Sequence, residues 1–245
     1  MRIDADRVET LLCDADGNLF PSEEPAFVAS TRVTNRVLSE HGIDLAFEPD
    51  ELRAVAVGRN FRATVSDLAA QHGVTISPDV LEREVAEERR SVIAHLAEVL
   101  TPDPEVLSPL TALSGRFRLA AVSSSALSRL DACFRATGLD ELFPPDARYS
   151  AEDSLPVPTS KPDPAVYTFA GSRLGVAGAQ ALAIEDAVAG VRSAVAAGFP
   201  CVGNLLFVPE DEREEREAAL LDAGAAAIVS SWWQLDELLS GAAVG

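Results

Sequence analysis

The stretch TLLCDADGNLF, residues 10–20, opens with a short, largely apolar run and continues into two aspartates, Asp14 and Asp16. A short apolar run that ends in turn residues is typical of a buried strand in a parallel sheet. Two carboxylates at the end of such a strand repel each other and are costly to bury unless a cation offsets their charge. The stretch therefore predicts the first strand of a sheet, with a polar site where that strand ends.

Four more apolar runs predict strands, at residues 117–123, 181–186, 200–204 and 225–230, and the first strand is expected at 8–14. Helical patterns lie between the later runs, so strand and helix alternate from about residue 115 to the end. This alternation predicts an α/β fold with a doubly wound, Rossmann-like parallel sheet.

Residues 25–100 break this alternation, because four consecutive segments there have helical periodicity and Gly or Pro marks their ends. We therefore expect a core domain formed by residues 1–22 and 103–245, with a helical domain at 23–102 inserted after the first strand. The stretch DSLPVPTSKPDP, residues 153–164, is expected to be a loop, since helices and central strands both exclude proline.

Composition restricts the range of partners. The chain has 245 residues and a formal net charge of −19, and its Lys and Arg residues form no cluster, so neither nucleic acid nor an anionic membrane is expected to bind. The three cysteines are scattered and match neither a zinc site nor a disulfide framework. With no signal peptide or membrane span in the sequence, we expect a cytoplasmic protein that is a monomer or a weak homodimer.

Polar residues follow several of the predicted strands. Ligands of doubly wound sheets bind beyond the carboxyl ends of the strands, so side chains at those ends are expected to meet. The residues that this places together are Asp14, Asp16, Ser123, Ser124, Glu185 and Asp186, joined by Lys161 from the proline-rich loop.

The segments DADGNLF, AAVSSS, SKPDPAVY and AIEDAVAGVRSAVAAG resemble, in this order, the four motifs of the haloacid dehalogenase superfamily. The helical insertion resembles the C1 cap of that superfamily, as found in the β-phosphoglucomutase and phosphoglycolate phosphatase subgroup. The resemblance extends over nearly the whole chain. It implies a phosphoryl-transfer enzyme that acts on a small phosphorylated metabolite.

The resemblance assigns the acidic residues their roles. Asp14 is expected to be the nucleophile that forms an aspartyl-phosphate, and Asp16 the general acid and base. A Mg²⁺ cofactor is implied, held by Asp14, the backbone carbonyl of Asp16 and Asp186, with Glu185 acting through water. Dehalogenases and phosphonatases lack a second aspartate at the position of Asp16, so its presence favours phosphoryl transfer.

The remaining site residues are expected to contact the phosphate or the substrate. Ser123 is expected to hydrogen-bond the transferring phosphoryl group and Lys161 to neutralise its charge. Gly17, Asn18 and Ser124 are expected to bind substrate, although Asn18 replaces the Thr or Val usual in the family.

Substrate choice in the subgroup resides in the cap. There VGRNFRATV offers Gly58 as a bend and Arg59 as a substrate contact, suited to an anionic group or to sugar hydroxyls.

Three functions remain open, and hydrolysis of a small phosphomonoester, such as a sugar phosphate, is favoured. A sugar phosphomutase is the alternative, but β-phosphoglucomutases have a lysine shortly after the motif-two serine, where this chain has Ala126. A non-catalytic binding protein is disfavoured because Asp14, Asp16, Lys161 and Asp186 are all retained.

Overall fold

The computed structural model describes residues 3–56 and 59–241. The chain divides into two compact units. The core unit combines the chain up to Pro21 with the chain from Thr101 onward, and the helical unit is Ser22–Leu100. Each unit is described by itself below.

The core unit contains a parallel sheet of six strands: β1 (Thr10–Cys13), β2 (Arg118–Ser123), β3 (Arg148–Ser150), β4 (Ala181–Glu185), β5 (Cys201–Asn204) and β6 (Ala227–Val229). Their order is β3-β2-β1-β4-β5-β6 and every neighbouring pair is parallel. This is the predicted α/β fold with a doubly wound sheet, so the predicted fold class is confirmed.

Strand β1 lies in the centre of the sheet between β2 and β4. All four of its residues are buried, and Leu12 aligns with Ala120 on one side and Ala183 on the other. Because these strands are parallel and in register, their carboxyl ends meet at one edge of the sheet. The residues that follow β1, β2 and β4 are therefore brought together there.

The structure corrects two predictions about strands. Strand β1 ends before Asp14 and is shorter than the predicted 8–14, and the other predicted strands are also trimmed at one or both ends. Strand β3 was not predicted, because its sequence, RYS, contains no apolar run. Its three residues are nevertheless buried, and Arg148 is satisfied by the Phe143 carbonyl at 2.7 Å and by Asp131 at 2.5 Å.

The helical unit consists of α1 (Glu23–Glu40), α2 (Pro49–Val55), α3 (Phe61–Gln71) and α4 (Pro78–Val99). These helices match the four predicted helical segments and enclose their own apolar core, which contains Val37, Leu38, Val65 and Leu68. Gly58, predicted as a bend, lies outside the described residues.

The other helices of the core unit are α5 (Pro104–Ser114), α6 (Leu127–Thr137), α7 (Ala165–Leu174), α8 (Val188–Ala196), α9 (Arg213–Asp222) and α10 (Trp232–Leu239). Residues 153–164 form turns and bends before α7, as predicted for the proline-rich loop. Across residues 3–56 and 59–241, none of the helices combines the length and the apolar composition required to cross a membrane.

Candidate active site

Asp14 is the first residue after β1, at the centre of the sheet edge. Its backbone N–H donates to the Ile184 carbonyl on β4 at 2.9 Å, which continues the pairing of the two strands. Only 7% of the residue is exposed, and its Oδ1 accepts a hydrogen bond from the ammonium of Lys161. The β1–β4 pairing thus fixes the backbone of a nearly buried carboxylate that is paired with a lysine.

Lys161 donates to three acceptors through its ammonium group. These are Asp14 Oδ1, the Val122 carbonyl at 2.7 Å and Glu185 Oε1 at 2.6 Å. Its backbone N–H donates to Ser124 Oγ at 3.0 Å, which ties the proline-rich loop to the end of β2. An ammonium has three N–H groups, so these acceptors leave it a fixed orientation.

Glu185 is the last residue of β4 and is 1% exposed. Its Oε1 also accepts a hydrogen bond from the hydroxyl of Tyr167 on α7, whose ring centre lies 5.3 Å from the Lys161 ammonium nitrogen. Gly190 on α8 leaves room for this carboxylate, since a Cβ there would lie 1.7 Å from Glu185 Oε2. Tyr167 was not identified from the sequence, although it lies within the SKPDPAVY motif.

The charges of this cluster shift one another's ionisation. Burial raises the pKa of Asp14 well above its usual range; Lys161 opposes the shift, while Glu185 and Asp186 add to it by repulsion. Burial likewise raises the pKa of Glu185, against the opposing effects of Lys161 and Tyr167. Burial alone would lower the pKa of Lys161, but Asp14 and Glu185 outweigh it and raise that pKa, so the lysine stays charged.

Three carboxylates form a group that fits a metal ion. One oxygen each from Asp14, Glu185 and Asp186 lies within 4.8 Å of the others, and all three residues are buried. Gly17 leaves room for the Asp186 carboxylate, because a Cβ on Gly17 would lie 2.4 Å from Asp186 Oδ2. The φ of Gly17 is 77°, a backbone angle that glycine adopts without strain. An all-oxygen donor set with more carboxylates than lysines suits a hard divalent cation such as Mg²⁺.

Asp16 lies apart from that acidic group, and its side chain is held by the segment that follows β2. Ser125 Oγ donates to Asp16 Oδ2 at 2.7 Å, and the Arg129 guanidinium contacts Oδ1 at 2.7 Å. The Ser123 hydroxyl is more distant, at 3.5 Å from Oδ2. Neither Ser125 nor Arg129 was assigned a role from the sequence; Arg129 lies in the first turn of α6, a helix that the sequence did predict.

Ser123 and Ser124 have different partners. Ser123 Oγ is almost fully buried and accepts the N–H of Ser125 at 3.0 Å, which shapes the turn into α6. Ser124 Oγ accepts the N–H of Lys161, as described above, so its hydroxyl supports the lysine loop. Contacts of either serine with substrate remain predictions.

The side chain of Asn18 lies inside the core unit. Its side chain is fully buried and donates through Nδ2 to the Asp14 carbonyl at 2.9 Å and the Ile184 carbonyl at 3.3 Å. Its Oδ1 accepts a hydrogen bond from Asn204 Nδ2 at 2.8 Å. The polar atoms of this side chain therefore have partners inside the protein, and a contact between Asn18 and substrate remains a prediction.

Arg59 belongs to the helical unit and is about half exposed. Its guanidinium pairs with Asp67 at 2.7 Å, on the helix that begins two residues later. A contact between Arg59 and substrate remains a prediction.

A parallel α/β sheet that presents an aspartate pair, a serine, a lysine and an acidic pair at one edge defines a class of hydrolytic enzymes. The model of the haloacid dehalogenase-like hydrolases matches residues 8–198, and the chain belongs to this family. The predicted family membership is confirmed.

Named relatives agree with this assignment. The chain is 31% identical to validoxylamine A 7′-phosphate phosphatase of Streptomyces hygroscopicus subsp. limoneus, over 86% of this chain and 91% of the relative. It is 27% identical to a phosphorylated carbohydrates phosphatase of Thermotoga maritima, over 91% and 94%. A haloacid dehalogenase family hydrolase of Deinococcus radiodurans, solved with bound phosphate and sodium, has a TM-score of 0.68 at 31% identity, over 98% of this chain and 97% of that one.

Proposed function

We propose that the protein is a Mg²⁺-dependent phosphatase that hydrolyses a small phosphomonoester, a sugar phosphate or a similar metabolite, in the cytoplasm. Asp14 is the nucleophile and Asp16 the general acid and base. The helical unit is the cap that selects the substrate, with Arg59 as a contact.

One observation carries the proposal. A nearly buried aspartate is held by a lysine that also contacts Glu185, and both carboxylates lie within 4.8 Å of Asp186. Three carboxylates outnumber the one ammonium among them, so the group suits a cation and an anionic ligand bound to it. Structural ion pairs in protein interiors do not need this excess of negative charge.

In the first step a carboxylate oxygen of Asp14 attacks phosphorus, and the bond from phosphorus to the ester oxygen breaks. The proton of Asp16 passes to that oxygen, so an alcohol leaves. Lys161 offsets the negative charge that gathers between the aspartate and the phosphoryl oxygens. The product of the step is an aspartyl-phosphate on Asp14.

In the second step water attacks the phosphorus of the aspartyl-phosphate and loses a proton to Asp16. The bond between phosphorus and the Asp14 oxygen breaks, which releases inorganic phosphate and restores both residues. Ser125 and Arg129 hold the Asp16 carboxylate and so limit the directions in which it exchanges protons.

Asp14, Asp186 and Glu185 are the side chains that would hold Mg²⁺, together with the backbone carbonyl of Asp16. A bound Mg²⁺ would supply the positive charge that allows an anionic nucleophile to approach an anionic phosphate.

The substrate class is supported by the relatives, since one of them is named as a phosphatase of phosphorylated carbohydrates and another as a phosphatase of validoxylamine A 7′-phosphate. The strong net negative charge of −19 also favours a small substrate held by a local cation over a polyanionic partner.

Phosphate release from an aryl phosphate and a panel of sugar phosphates, with and without Mg²⁺, tests the proposal. We expect Asp14→Asn to lower kcat by at least about a thousandfold, because the amide is a poor nucleophile. A chelator should abolish turnover of the unaltered enzyme. Undiminished turnover in Asp14→Asn would exclude the mechanism.

The alternative phosphomutase is separated by its products. If a hexose 1-phosphate were converted to the 6-phosphate with no release of phosphate, the hydrolase assignment would be wrong.

A further inference from the structure

Two buried asparagines connect distant parts of the core unit behind the acidic group. Asn18 lies in the loop after β1 and Asn204 is the last residue of β5, and their exposed fractions are 0% and 1%. Asn204 Nδ2 donates to Asn18 Oδ1 at 2.8 Å, and Asn204 Oδ1 accepts the N–H of Leu206 at 3.1 Å. The chain of bonds therefore runs from the loop after β5 to the loop that carries Asp14.

The orientation of each amide in this chain is determined by the one before it. An asparagine side chain has a donor end and an acceptor end, and its partners decide which end faces which way. The Leu206 N–H requires the acceptor end of Asn204, which directs the donor end of Asn204 at Asn18. Asn18 must then present its acceptor end to Asn204 and its donor end to the carbonyls of Asp14 and Ile184.

The Asp14 carbonyl determines how the chain leaves β1. The peptide group that follows Asp14 is held through this carbonyl by Asn18 Nδ2, and the peptide group that precedes Asp14 is held by the N–H of Asp14, which donates to Ile184. The Ala15 carbonyl next to it accepts the N–H of Leu19 at 2.9 Å. A rotation of the peptide group that follows Asp14 would displace the side chains on both sides of it, which are those of Asp14 and Ala15, and with them the start of the loop to Asp16.

We propose that Asn204 is a positioning residue for the nucleophile, acting through Asn18 to fix the peptide plane of Asp14. The proposal rests on the nucleophilic role proposed above for Asp14. Asparagine suits position 18 in this role, since its side-chain amide can donate to two carbonyls while accepting from a third group.

The sharpest test is Asn204→Asp, which replaces one NH₂ group by an oxygen at almost constant shape. An ionised carboxylate only accepts hydrogen bonds, so it would face an acceptor on Asn18 and favour reversal of that amide. We expect kcat to fall about tenfold to a hundredfold with KM unchanged within about twofold, because small misplacements of reacting groups have effects of this size. Asn204→Leu, which lacks both polar ends, is a second variant in case the aspartate prevents folding. Its kcat should be about tenfold lower than that of the unaltered protein.

The control is Asn35→Asp in the helical unit. Asn35 also bridges two backbone groups, donating to the Phe47 carbonyl at 2.8 Å and accepting the Phe47 N–H at 2.9 Å. The same atom change there should lower the melting temperature and leave kcat within about twofold, since a structural loss alone does not move the nucleophile.

Combining the variants tests whether Asn204 acts through Asn18. In an Asn18→Leu background, adding Asn204→Leu should reduce kcat by less than about twofold, because the connection is already broken. A full-sized, additive effect in that background would contradict the proposal, and so would wild-type kcat in folded Asn204→Asp.

Amide hydrogen exchange of the metal-free protein separates this proposal from the proposed function. Asn204→Asp should speed exchange of the amides of residues 14–20, and Asn35→Asp should not. If the unaltered protein hydrolyses no phosphomonoester, the proposed function fails, and unchanged exchange at residues 14–20 would then independently refute the positioning role.

Discussion

Charged side chains pair in both units of the molecule, but under very different conditions. In the core unit Lys161 contacts Asp14 and Glu185, and the three side chains are 6%, 10% and 1% exposed. In the helical unit Arg59 pairs with Asp67 and Arg62 with Glu82, and these side chains are 42% to 62% exposed.

The difference shows what each arrangement contributes. Exposed pairs gain little, since water already solvates both charges and salt screens them. A buried pair carries a desolvation cost that its mutual attraction barely offsets, so it is weak evidence for a stabilising role. The cluster around Lys161 is therefore better explained by the proposed chemistry than by stability, whereas the ion pairing of the exposed residues does not by itself indicate a function.

Among the substitutions that compare the two units, Lys161→Met should have the largest effect. Removing the ammonium leaves Asp14 and Glu185 without their shared cation, and we expect kcat to fall about a hundredfold to a thousandfold. In chelator at pH 7 the free energy of unfolding should drop by about 3–5 kcal/mol, measured by urea denaturation. Arg59→Met is the matched change in the helical unit and should cost less than about 1 kcal/mol. Equal losses of unfolding free energy in Lys161→Met and Arg59→Met would contradict the distinction between the buried cluster around Lys161 and the exposed pairs.

The next prediction concerns pH. Burial raises the pKa values of Asp14 and Glu185 above their ordinary values of 3.8 and 4.5, with Lys161 opposing both shifts and repulsion adding to that of Asp14. The folded, metal-free protein thus binds more protons than the unfolded chain at these sites. Their stabilising contribution is complete below about pH 4 and is lost as the pH rises through the raised values.

Melting temperatures in chelator and in Mg²⁺ test this sign. Between pH 5 and 8, Asp14→Asn should lose less stability than the unaltered protein in chelator, because it has one titrating carboxylate fewer. Mg²⁺ binds the ionised carboxylates, so the stabilisation of the protein by a fixed Mg²⁺ concentration should increase over the same pH range. Where the free Mg²⁺ concentration is a hundredfold above Kd, this stabilisation should be about 2.7 kcal/mol. Stabilisation by Mg²⁺ that is constant across these pH values would contradict the raised pKa values.

Most of the site could be predicted because its residues lie in short motifs at strand ends. Asp14, Ser123 and Glu185 follow or end apolar runs, and parallel strands bring such positions together whatever the detailed packing. The polar strand β3 gave no apolar signal, since Arg148 is buried through specific hydrogen bonds.

The missed residues depend on long-range geometry. Arg129 reaches Asp16 only because α6 has a particular orientation, and Asn204 meets Asn18 from 186 positions away. Nothing in the sequence near Asn18 indicates that its side chain faces inward, which is why it was assigned to substrate.

Tyr167→Phe should have a smaller effect than Lys161→Met, because it removes one hydrogen bond to Glu185 and leaves the lysine in place. We expect the free energy of unfolding to fall by about 1–3 kcal/mol and kcat by less than about tenfold. Phe169→Leu is a control for packing changes in α7, because Phe169 lies on the same helix and its side chain has no polar group that could hydrogen-bond Glu185. A kcat loss as large as that of Lys161→Met would mean that the tyrosine, rather than the lysine, organises Glu185.

The smallest effect on stability is expected for Arg59→Ala, and it decides whether the exposed pairs are only structural. The pair with Asp67 is half exposed, so its loss should change the free energy of unfolding by less than about 1 kcal/mol. If Arg59 binds substrate as proposed, KM for a sugar phosphate should rise about tenfold while KM for a small aryl phosphate changes little, since only the former offers further polar groups.

Asp67→Ala is the matched control, because it breaks the same ion pair but keeps the guanidinium. Equal KM changes in the two variants would assign the effect to the lost pair, and unchanged KM in both would leave Arg59 with the modest structural role of any exposed ion pair.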